Sequence, residues 1–411
     1  MGNENAISNF RDSRQRHAKI NRKALALNHT AASSLTTFDV PSLAGFATLF
    51  EQAEIRGSEC VLDLADEAIA GNANPSAVRL SIPSVMVLSN LLVGRYREVP
   101  LKVRIPESRG LNLQLARGGF FFALANRKGV RWEKEIPEQW GQISEAWTNP
   151  FHPNDSQMRR RALVEIKDSE QDSWVIRSAF QRYLLSVMHP HNYYASSLRQ
   201  ELGRIAGRWL SSRMGVKPGS EMVATLTDCF EIFYQIVVNV PDHASLRSNR
   251  EGCSLGQVYV TLGGGRDSHN RLHFTVLDNG AGLPQRVNEL YQDKKRDAEG
   301  ALRDAVMGNL PRRAAGRGIG LDLVRRIANQ YTEGIRGVGG ASTICFVTSG
   351  DCVGSASWLE WGPGFEEPRM STVESLPVQG TLGWVSLGLE HRIPDHENAQ
   401  LELTFDEALA G

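Results

Sequence analysis

Three short segments carry residue types that could together build one polar binding site. The first contains Gln235 and Asn239, the second contains Asp278 in the run Leu-Asp-Asn-Gly-Ala-Gly, and the third is a glycine-rich run beginning at Gly316. They offer an amide oxygen, a carboxylate and unobstructed backbone amides. Amide oxygens suit Mg²⁺, and bare backbone amides bind phosphate. Each segment is weak evidence alone, but the set predicts a nucleotide pocket.

The first segment belongs to a predicted helix on which Glu231, Gln235 and Asn239 share one face, because they follow one another at intervals of four. Asparagine is a poor residue for a helix interior. Its carbonyl, directed into a pocket, suits Mg²⁺, which takes few protein ligands beside waters and phosphates. Alternatively, Asn239 merely ends the helix, because Pro241 removes a backbone donor. The sequence leaves both interpretations open.

The second segment places Asp278 after an apolar strand at residues 274–277 and before Gly280 and Gly282. A carboxylate at such a strand end can accept a hydrogen bond from the exocyclic amine of adenine, where guanine carries a carbonyl. The glycines let the backbone turn and approach a ring or sugar. The alternative is an ordinary Asp-Asn-Gly turn, which is the commoner explanation for these residues taken alone.

The third segment is a glycine-rich run that leads into an apolar-periodic helix. Such a helix start presents free amides and the positive end of the helix dipole to phosphate. The run does not fit the dinucleotide motif G-x-G-x-x-G, because both the spacing and the preceding elements differ. The predicted phosphate-binding residues are Gly316, Arg317, Gly318, Ile319, Gly320 and Leu321.

Hydrophobic periodicity predicts the elements that position these segments. Helices are predicted at 198–214, from about 221 to 239 and after Gly320, with strands at 257–262, 272–277, 342–348, 356–361 and 382–389. The polar stretch 285–315 is predicted as a functional loop, because so long a loop inside a compact domain is usually functional.

The N-terminal part, from residue 38 to about 130, alternates short strands with helices and is typical of a small α/β domain. The predicted strands are 60–64, 77–82 and 100–105. Ser84 is a predicted helix N-cap, and Gly94 marks the end of the same helix.

Composition limits the classes of partner. Lys and Arg total 46, as do Asp and Glu, so no global charge favours nucleic acid or membrane. The five cysteines form no C-x-x-C pair, no secretory leader precedes them, and no run of about 18 apolar residues exists. These features predict a soluble, cytoplasmic protein with reduced thiols. The basic residues in 9–23 leave a nucleic acid or acidic partner open, although a solvated extension is the simpler interpretation.

The ordered set of segments resembles the nucleotide-binding boxes of the GHKL superfamily, which includes gyrase B subunits, histidine kinases, MutL and anti-sigma-factor kinases. The resemblance spans about residues 196–390. It implies a domain that binds ATP, with Asn239 as the Mg²⁺ ligand, Asp278 as the adenine-reading residue and 285–315 as a lid over the phosphates.

The same resemblance assigns two further roles. Thr381 would support the Asp278 carboxylate through its hydroxyl, with Thr343 as the runner-up. Family members that hydrolyse ATP usually carry a glutamate four residues before the magnesium-binding asparagine, and this chain has Gln235 there. An amide can orient a water but cannot take its proton. Glu231 lies one turn earlier and is the other candidate, so rapid hydrolysis is not expected.

The expected fold class is α/β throughout. The C-terminal domain is expected to be a two-layer α/β sandwich, with a mixed, largely antiparallel sheet and helices on one face. The N-terminal domain resembles a STAS module. The expected organisation is a basic extension at 1–35, a STAS-like domain at 36–130, a connector at 131–195, the GHKL domain at 196–390 and a tail at 391–411.

Three functions are compatible with these features. The first is an ATP-binding regulatory protein in which ATP and Mg²⁺ order the lid and gate contacts with the N-terminal domain or a protein partner. The second is a Ser/Thr kinase of the anti-sigma type, for which Ser84 or Ser89 could be an acceptor, although both are better explained as cap and packing residues. The third is a nucleotide-independent interaction module. A homodimer is compatible with all three.

Overall fold

The computed structural model divides into two compact units, Met1–Thr148 and Asn149–Gly411. Each unit combines helices with its own sheet, which confirms the α/β class. The described residues are 26–134 without 29, 119 and 126; 163–167; 174–179; 220–239; 257–263; and 271–388 without 279, 281, 292–294, 311–319, 333–341, 353 and 364.

The first unit is built on a parallel sheet with strand order β1-β2-β3. The strands are β1 (Cys60–Asp63), β2 (Leu101–Arg104) and β3 (Val130–Trp132). Parallel neighbours require crossover connections, and helices supply them. The helices are α1 (Val40–Arg56), α2 (Asp66–Ala70), α3 (Ile82–Val93), α4 (Arg109–Arg117) and α5 (Phe120–Ala125).

The outer edge of β1 is closed by one side chain. The Asn28 amide donates to the backbone oxygen of Asp63 at 2.7 Å, and its oxygen accepts from the Asp63 N–H at 3.1 Å. Asn28 itself is buried. A carboxamide carries a donor and an acceptor side by side, so here it pairs with the strand as a neighbouring strand would.

The predicted strand at 77–82 is wrong. Pro75–Ala77 forms a 3₁₀ turn, and α3 begins at Ile82. The N-cap is Ser81 and not the predicted Ser84, because the Ser81 hydroxyl accepts from the Ser84 N–H at 3.4 Å. A cap followed by proline in the first turn favours a helix start and overrides the local alternation. The predicted end at Gly94 is confirmed.

The second unit is built on an eight-stranded sheet with order β10-β9-β8-β11-β7-β6-β5-β4. All seven pairings are antiparallel. The strands are β4 (Leu163–Lys167), β5 (Trp174–Ala179), β6 (Gln257–Gly263), β7 (Arg271–Leu277), β8 (Thr343–Ser349), β9 (Ala356–Trp361), β10 (Arg369–Val373) and β11 (Thr381–Gly388). Strands β4, β5 and β10 were not predicted from the sequence.

Four described helices belong to this unit: α6 (Ser220–Asn239), α7 (Leu283–Leu290), α8 (Ala298–Val306) and α9 (Gly320–Thr332). None of the helices in the described ranges is both long and apolar enough to cross a membrane.

Helices α7 and α8 lie on the same face of the sheet. The Leu283 N–H at the start of α7 donates to Thr348 Oγ1 at 3.0 Å. The Glu299 carboxylate of α8 accepts from the Thr372 hydroxyl at 2.8 Å, and that hydroxyl bonds to Ser357 Oγ at 3.0 Å. Thr348 and Ser357 are register partners on β8 and β9, so their side chains share one face.

The prediction that 285–315 forms one long loop is wrong, because α7 and α8 occupy much of it. The Asp297 carboxylate caps α8 by accepting from the Gly300 N–H at 2.8 Å. The buried face of α8 is made mostly of small apolar residues, which give a weak periodic signal among charged neighbours: Ala298, Ala301, Leu302, Ala305 and Val306. That 285–315 covers the phosphates as a lid stays a prediction, and its residues 311–319 lie outside the described residues.

Candidate functional site

Asp278 follows β7 directly, near the middle of the eight-stranded sheet. It is 9% exposed. Its Oδ1 accepts from the Gly280 N–H at 2.8 Å, and its own N–H donates to the Thr381 backbone oxygen at 2.9 Å. Among the described residues, no basic side chain acts on its carboxyl group. The group therefore relies on backbone donors and keeps acceptor capacity for one more donor.

Burial raises the pKa of Asp278 to about 6, and hydrogen bonds from the backbone amides of Gly280 and Thr381 offset part of that rise. Desolvation has this effect because it penalises the charged form. A donor arriving from a ligand would stabilise the carboxylate. A buried carboxyl with a displaced pKa and no described cation beside it is a functional-site candidate.

The start of β11 lies against Asp278. Gly380 has φ +83°, and a Cβ there would overlap the Asp278 backbone oxygen and lie 2.5 Å from Oδ1. Thr381 is thus next to Asp278, as predicted, but the contact runs through its backbone. Its hydroxyl lies 3.2 Å from Thr348 Oγ1 instead. The runner-up, Thr343, is the first residue of β8 and lies at the opposite end of that strand from Thr348.

Thr348 lies at the candidate site and was not predicted from the sequence. It is fully buried. Its hydroxyl accepts from the Leu283 N–H at 3.0 Å and donates to the Gly380 oxygen at 3.2 Å, so it joins the ends of three elements. The sequence feature that could have identified Thr348 is its position as a polar residue directly after the apolar run 344–347.

Gly282 closes the turn after Asp278. Its φ is +83°, and a Cβ there would overlap the Ser349 hydroxyl and lie 3.2 Å from Thr348 Oγ1. Any other residue at this position would be strained by its backbone and crowded by β8. The close approach that the two-glycine pattern predicted therefore occurs here, against protein rather than against a ligand.

On α6, the predicted face is present. Glu231, Gln235 and Asn239 are all partly buried. Gln235 Nε2 donates to Glu231 Oε1 at 2.6 Å. A Cβ on Gly320 would lie 2.6 Å from Gln235 Oε1, so the first residue of α9 touches the Gln235 side chain. The structure thus brings the first and third segments together.

Helices α6 and α9 run antiparallel. Gly320 begins α9 beside Gln235, one turn before the end of α6, while Tyr331 near the end of α9 donates its hydroxyl to Asp228 Oδ2 at 3.1 Å. The first turn of α9 and Asn239 at the end of α6 therefore lie at the same end of the pair. An anion there would meet both the positive dipole end and an amide.

The helix pair also lies on the strands that carry Asp278 and Thr381. A Cβ on Gly383 of β11 would be 3.2 Å from Ile236 of α6. Gly383 pairs with Val276, two residues before Asp278. Helix α6 therefore packs over β11 at a register position two residues before Asp278, and Gly320 of α9 contacts α6 there.

Asn239 fits a Mg²⁺ role by the chemistry of its donor. It is the last residue of α6 and offers a partly buried amide oxygen. Within the described ranges, no group of three or more His, Cys, Asp or Glu side chains could hold a metal. One amide oxygen beside waters and phosphates is a set that Mg²⁺ accepts, whereas Zn²⁺ needs more protein ligands. A bound Mg²⁺ would supply positive charge to the phosphates.

Part of the predicted phosphate loop cannot be placed. Gly316, Arg317, Gly318 and Ile319 lie outside the described residues. Leu321 is 7% exposed, so its side chain belongs to the core. Only its backbone N–H could contribute to phosphate binding.

Two predicted acceptor candidates are inaccessible. Ser84 is fully buried and donates to the Thr37 oxygen at 2.9 Å. Ser89 is also buried, and its hydroxyl lies 2.8 Å from the Val85 oxygen and 3.1 Å from the Gly118 oxygen. Neither hydroxyl can reach a phosphate donor while α3 is folded.

No family model matches this chain, and comparisons with curated proteins and with solved structures also find no match.

Proposed function

We propose that the second unit binds ATP with Mg²⁺ and that this binding, with little or no hydrolysis, regulates how the protein engages a protein partner. The observation that carries the proposal is the buried Asp278 carboxyl, which has only backbone donors among the described residues. It follows the strand whose Val276 pairs with Gly383, the residue of β11 against which α6 packs. In this proposal Asp278 accepts from the adenine amine, Asn239 binds Mg²⁺, and the start of α9 binds phosphate.

The proposal includes the finer fold assignments. The second unit would be a GHKL-type two-layer sandwich, which is supported by the antiparallel sheet and by the order of the three segments along the chain. The first unit would be STAS-like, which is supported by strands that alternate with helices around a parallel sheet.

Gln235 is the reason to propose binding without rapid turnover. It occupies the position beside the start of α9, where a proton acceptor would be needed, and an amide cannot serve as one. The kinase alternative loses both of its acceptor candidates within the chain, because Ser84 and Ser89 are buried. A nucleotide-independent module gives no reason for a buried carboxyl whose burial opposes its charge.

The test is equilibrium binding of ATP, in the presence of Mg²⁺, to the wild type, Asp278→Asn and Asp63→Asn. Asp63 is a matched control, because it also ends a strand and is 8% exposed, but it lies in the first unit. A hydrogen bond to a charged group contributes about 1.5–3 kcal/mol, so Asp278→Asn should weaken ATP binding about 10- to 100-fold.

The control variant should bind ATP within about twofold of the wild type, and GTP should compete poorly because its carbonyl cannot donate to Asp278. Equal binding by all three proteins would contradict the assignment of Asp278. Equal affinity for ATP and GTP would contradict the proposed role of its carboxylate.

A further inference from the structure

Strand β10 is the last strand on one side of the eight-stranded sheet. Among the described strands it pairs with β9 alone, so its outer edge has backbone groups without a neighbouring strand. Arg369, Ser371 and Thr372 of this strand are exposed. Residues 370–373 contain neither a charge nor a proline, which are the usual devices that protect an open edge. This edge is therefore able to accept another strand.

The open segment has a definite length and centre. Pro368 precedes it and has no N–H to donate, and Ser375 follows it in a turn with φ 62°. The five residues Arg369–Val373 are thus available for pairing. If an antiparallel copy of the same strand uses all five, Ser371 lies opposite its own equivalent. A two-fold axis perpendicular to the sheet generates this pairing and keeps the helices of both copies on the same face.

Helix α8 carries two opposite charges above this edge. The Glu299 carboxylate accepts from the Thr372 hydroxyl at 2.8 Å, and Arg303 Nε donates to Met370 Sδ at 3.4 Å. Arg303 is exposed and Glu299 is partly buried. Neither side chain forms an ion pair with another described residue. Each charge therefore lies at a known position along β10 and has no described counterion.

The two-fold pairing would bring these charges together. It places Met370 opposite Thr372 of the second copy, with about 4.5–5.5 Å between their Cβ atoms. Arg303, which contacts Met370, then lies beside Glu299 of the second copy, which contacts Thr372. The symmetry repeats this contact with the two copies exchanged. The edge is therefore complementary to itself in both shape and charge, as a two-fold dimer requires.

We propose that two copies of this chain associate through β10, which pairs antiparallel with itself about Ser371 and joins the two sheets, while Glu299 and Arg303 form ion pairs between the copies. This inference does not depend on ATP binding. It assigns the surface through which a homodimer forms and the register of its central strands.

The first test reverses one charge at a time and follows association of the full chain by sedimentation velocity over a concentration series. Arg303→Glu would place two carboxylates at each contact, and Glu299→Lys would place two cations there. Each contact occurs twice in the dimer, and exposed ion pairs contribute modestly, so each variant should raise the dissociation constant at least about tenfold.

An equimolar mixture of the two variants separates an interface from a structural role. In a mixed dimer, the native Glu299 of one variant meets the native Arg303 of the other, and the two introduced charges meet at the second contact. The mixture should therefore associate within about threefold of the wild type. A change inside one copy cannot produce this recovery.

Arg326→Glu is the matched control for charge reversal. Arg326 lies on α9, its side chain is 55% exposed, and α9 packs over β8 and β11 rather than over the edge. This variant should leave the dissociation constant within about twofold of the wild type.

The second test reads the register directly, in a Cys352→Ser background that removes an exposed thiol. Opposite residues of antiparallel strands have Cα atoms about 4.5–5.5 Å apart, which a disulfide can span. Ser371→Cys should therefore form a disulfide-linked dimer with diamide, which takes up the two thiol hydrogens. Arg369→Cys should not, because its equivalents would be offset by four residues, about 13 Å along the strand.

Four outcomes would overturn the inference. A wild type that stays monomeric over the whole series would do so, as would a dimer that neither charge reversal weakens. A mixture that fails to recover association would show that the two charges do not meet. Cross-linking of Arg369→Cys in preference to Ser371→Cys would exclude the proposed register, and this readout at exposed positions still decides if a charge reversal prevents folding.

Discussion

Two strand ends, one in each unit, carry the same local turn in different electrostatic surroundings. Asp63 ends β1 and Asp278 follows β7; they are 8% and 9% exposed. Asp63 Oδ1 accepts from the Ala65 N–H at 3.0 Å, and Asp278 Oδ1 accepts from the Gly280 N–H at 2.8 Å. The difference is a cation, because Arg104 lies 3.5 Å from Asp63, whereas no described basic residue pairs with Asp278.

The comparison shows that the turn alone does not identify a site. An Asp followed by a backbone donor two residues later is common, and at Asp63 a neighbouring strand supplies the charge that balances it. At Asp278 the balancing group is absent from the described residues, and burial works against the charge. In the proposed function, that deficit is the reason to assign ligand binding to Asp278 and not to Asp63.

The largest expected effect is at the glycine that crowds Asp278. Gly380→Ala would add a Cβ at φ +83° that overlaps Asp278, whereas Gly57→Ala would add one at φ +58° with nothing within 4 Å. Left-handed strain costs about 1–2 kcal/mol and overpacking about 1–3 kcal/mol. Gly380→Ala should therefore lower the free energy of unfolding by about 4 kcal/mol, and Gly57→Ala by about 1 kcal/mol, in urea titrations. Equal losses would mean that β11 does not press on Asp278.

The second prediction concerns pH. The unfolded carboxyl has an ordinary pKa of 3.8 and the folded one has a pKa of about 6, so the folded state holds a proton that the unfolded state releases between these values. Stability from this group therefore falls as pH rises from about 4 to 6, on the order of 3 kcal/mol in total. ATP affinity should change in the opposite direction and weaken below pH 6. A protonated carboxyl has no negative charge and therefore accepts a weaker hydrogen bond from the adenine amine.

The measurement is the difference in unfolding free energy between Asp278→Asn and the wild type at several pH values. The variant should be more stable at pH 7, and its advantage should disappear near pH 4. Asp63→Asn should show no such advantage, because it removes the ion pair with Arg104. A pH-independent difference for Asp278→Asn would contradict the raised pKa.

The smallest predicted effect is at Thr348. Thr348→Val leaves the part-buried Leu283 N–H without its acceptor, which costs about 1–3 kcal/mol. Thr48→Val is the matched control, because the Thr48 hydroxyl donates to the Ala44 carbonyl within α1 and its loss leaves no orphaned donor. The control should cost under about 0.5 kcal/mol by the same urea titration. If both variants lose equally little, Thr348 does not join the three elements.

The elements nearest the site were predictable because their patterns are strong. Helix α6 and the pair β6 and β7 carry clear periodicity, and the structure confirms them. Strand β10 was missed because it is an edge strand with mostly exposed side chains and no apolar alternation. The failed strand at 77–82 shows the reverse case, in which alternation was present but the Ser81 cap and the proline after Ile82 selected a helix.

The site itself was predictable only where spacing along one element was sufficient. The bond between Glu231 and Gln235 follows from their four-residue interval, so the shared face is confirmed. Thr348 could not be found in this way, because its partner Leu283 lies 65 residues away and their meeting depends on strand register. The backbone route between Thr381 and Asp278 likewise depends on how β11 pairs with β7.

The pair of hydrogen bonds between Asn28 and Asp63 at the edge of β1 affects association between molecules. A parallel sheet that ends in an open strand offers unpaired amides and carbonyls to any other extended chain. Here the buried Asn28 carboxamide is hydrogen-bonded to both the N–H and the C=O of Asp63. At that position the edge therefore has no backbone group available to pair with another chain. A shortened chain that starts beyond Asn28 would uncover the edge next to the exposed Val61, and self-association would begin there.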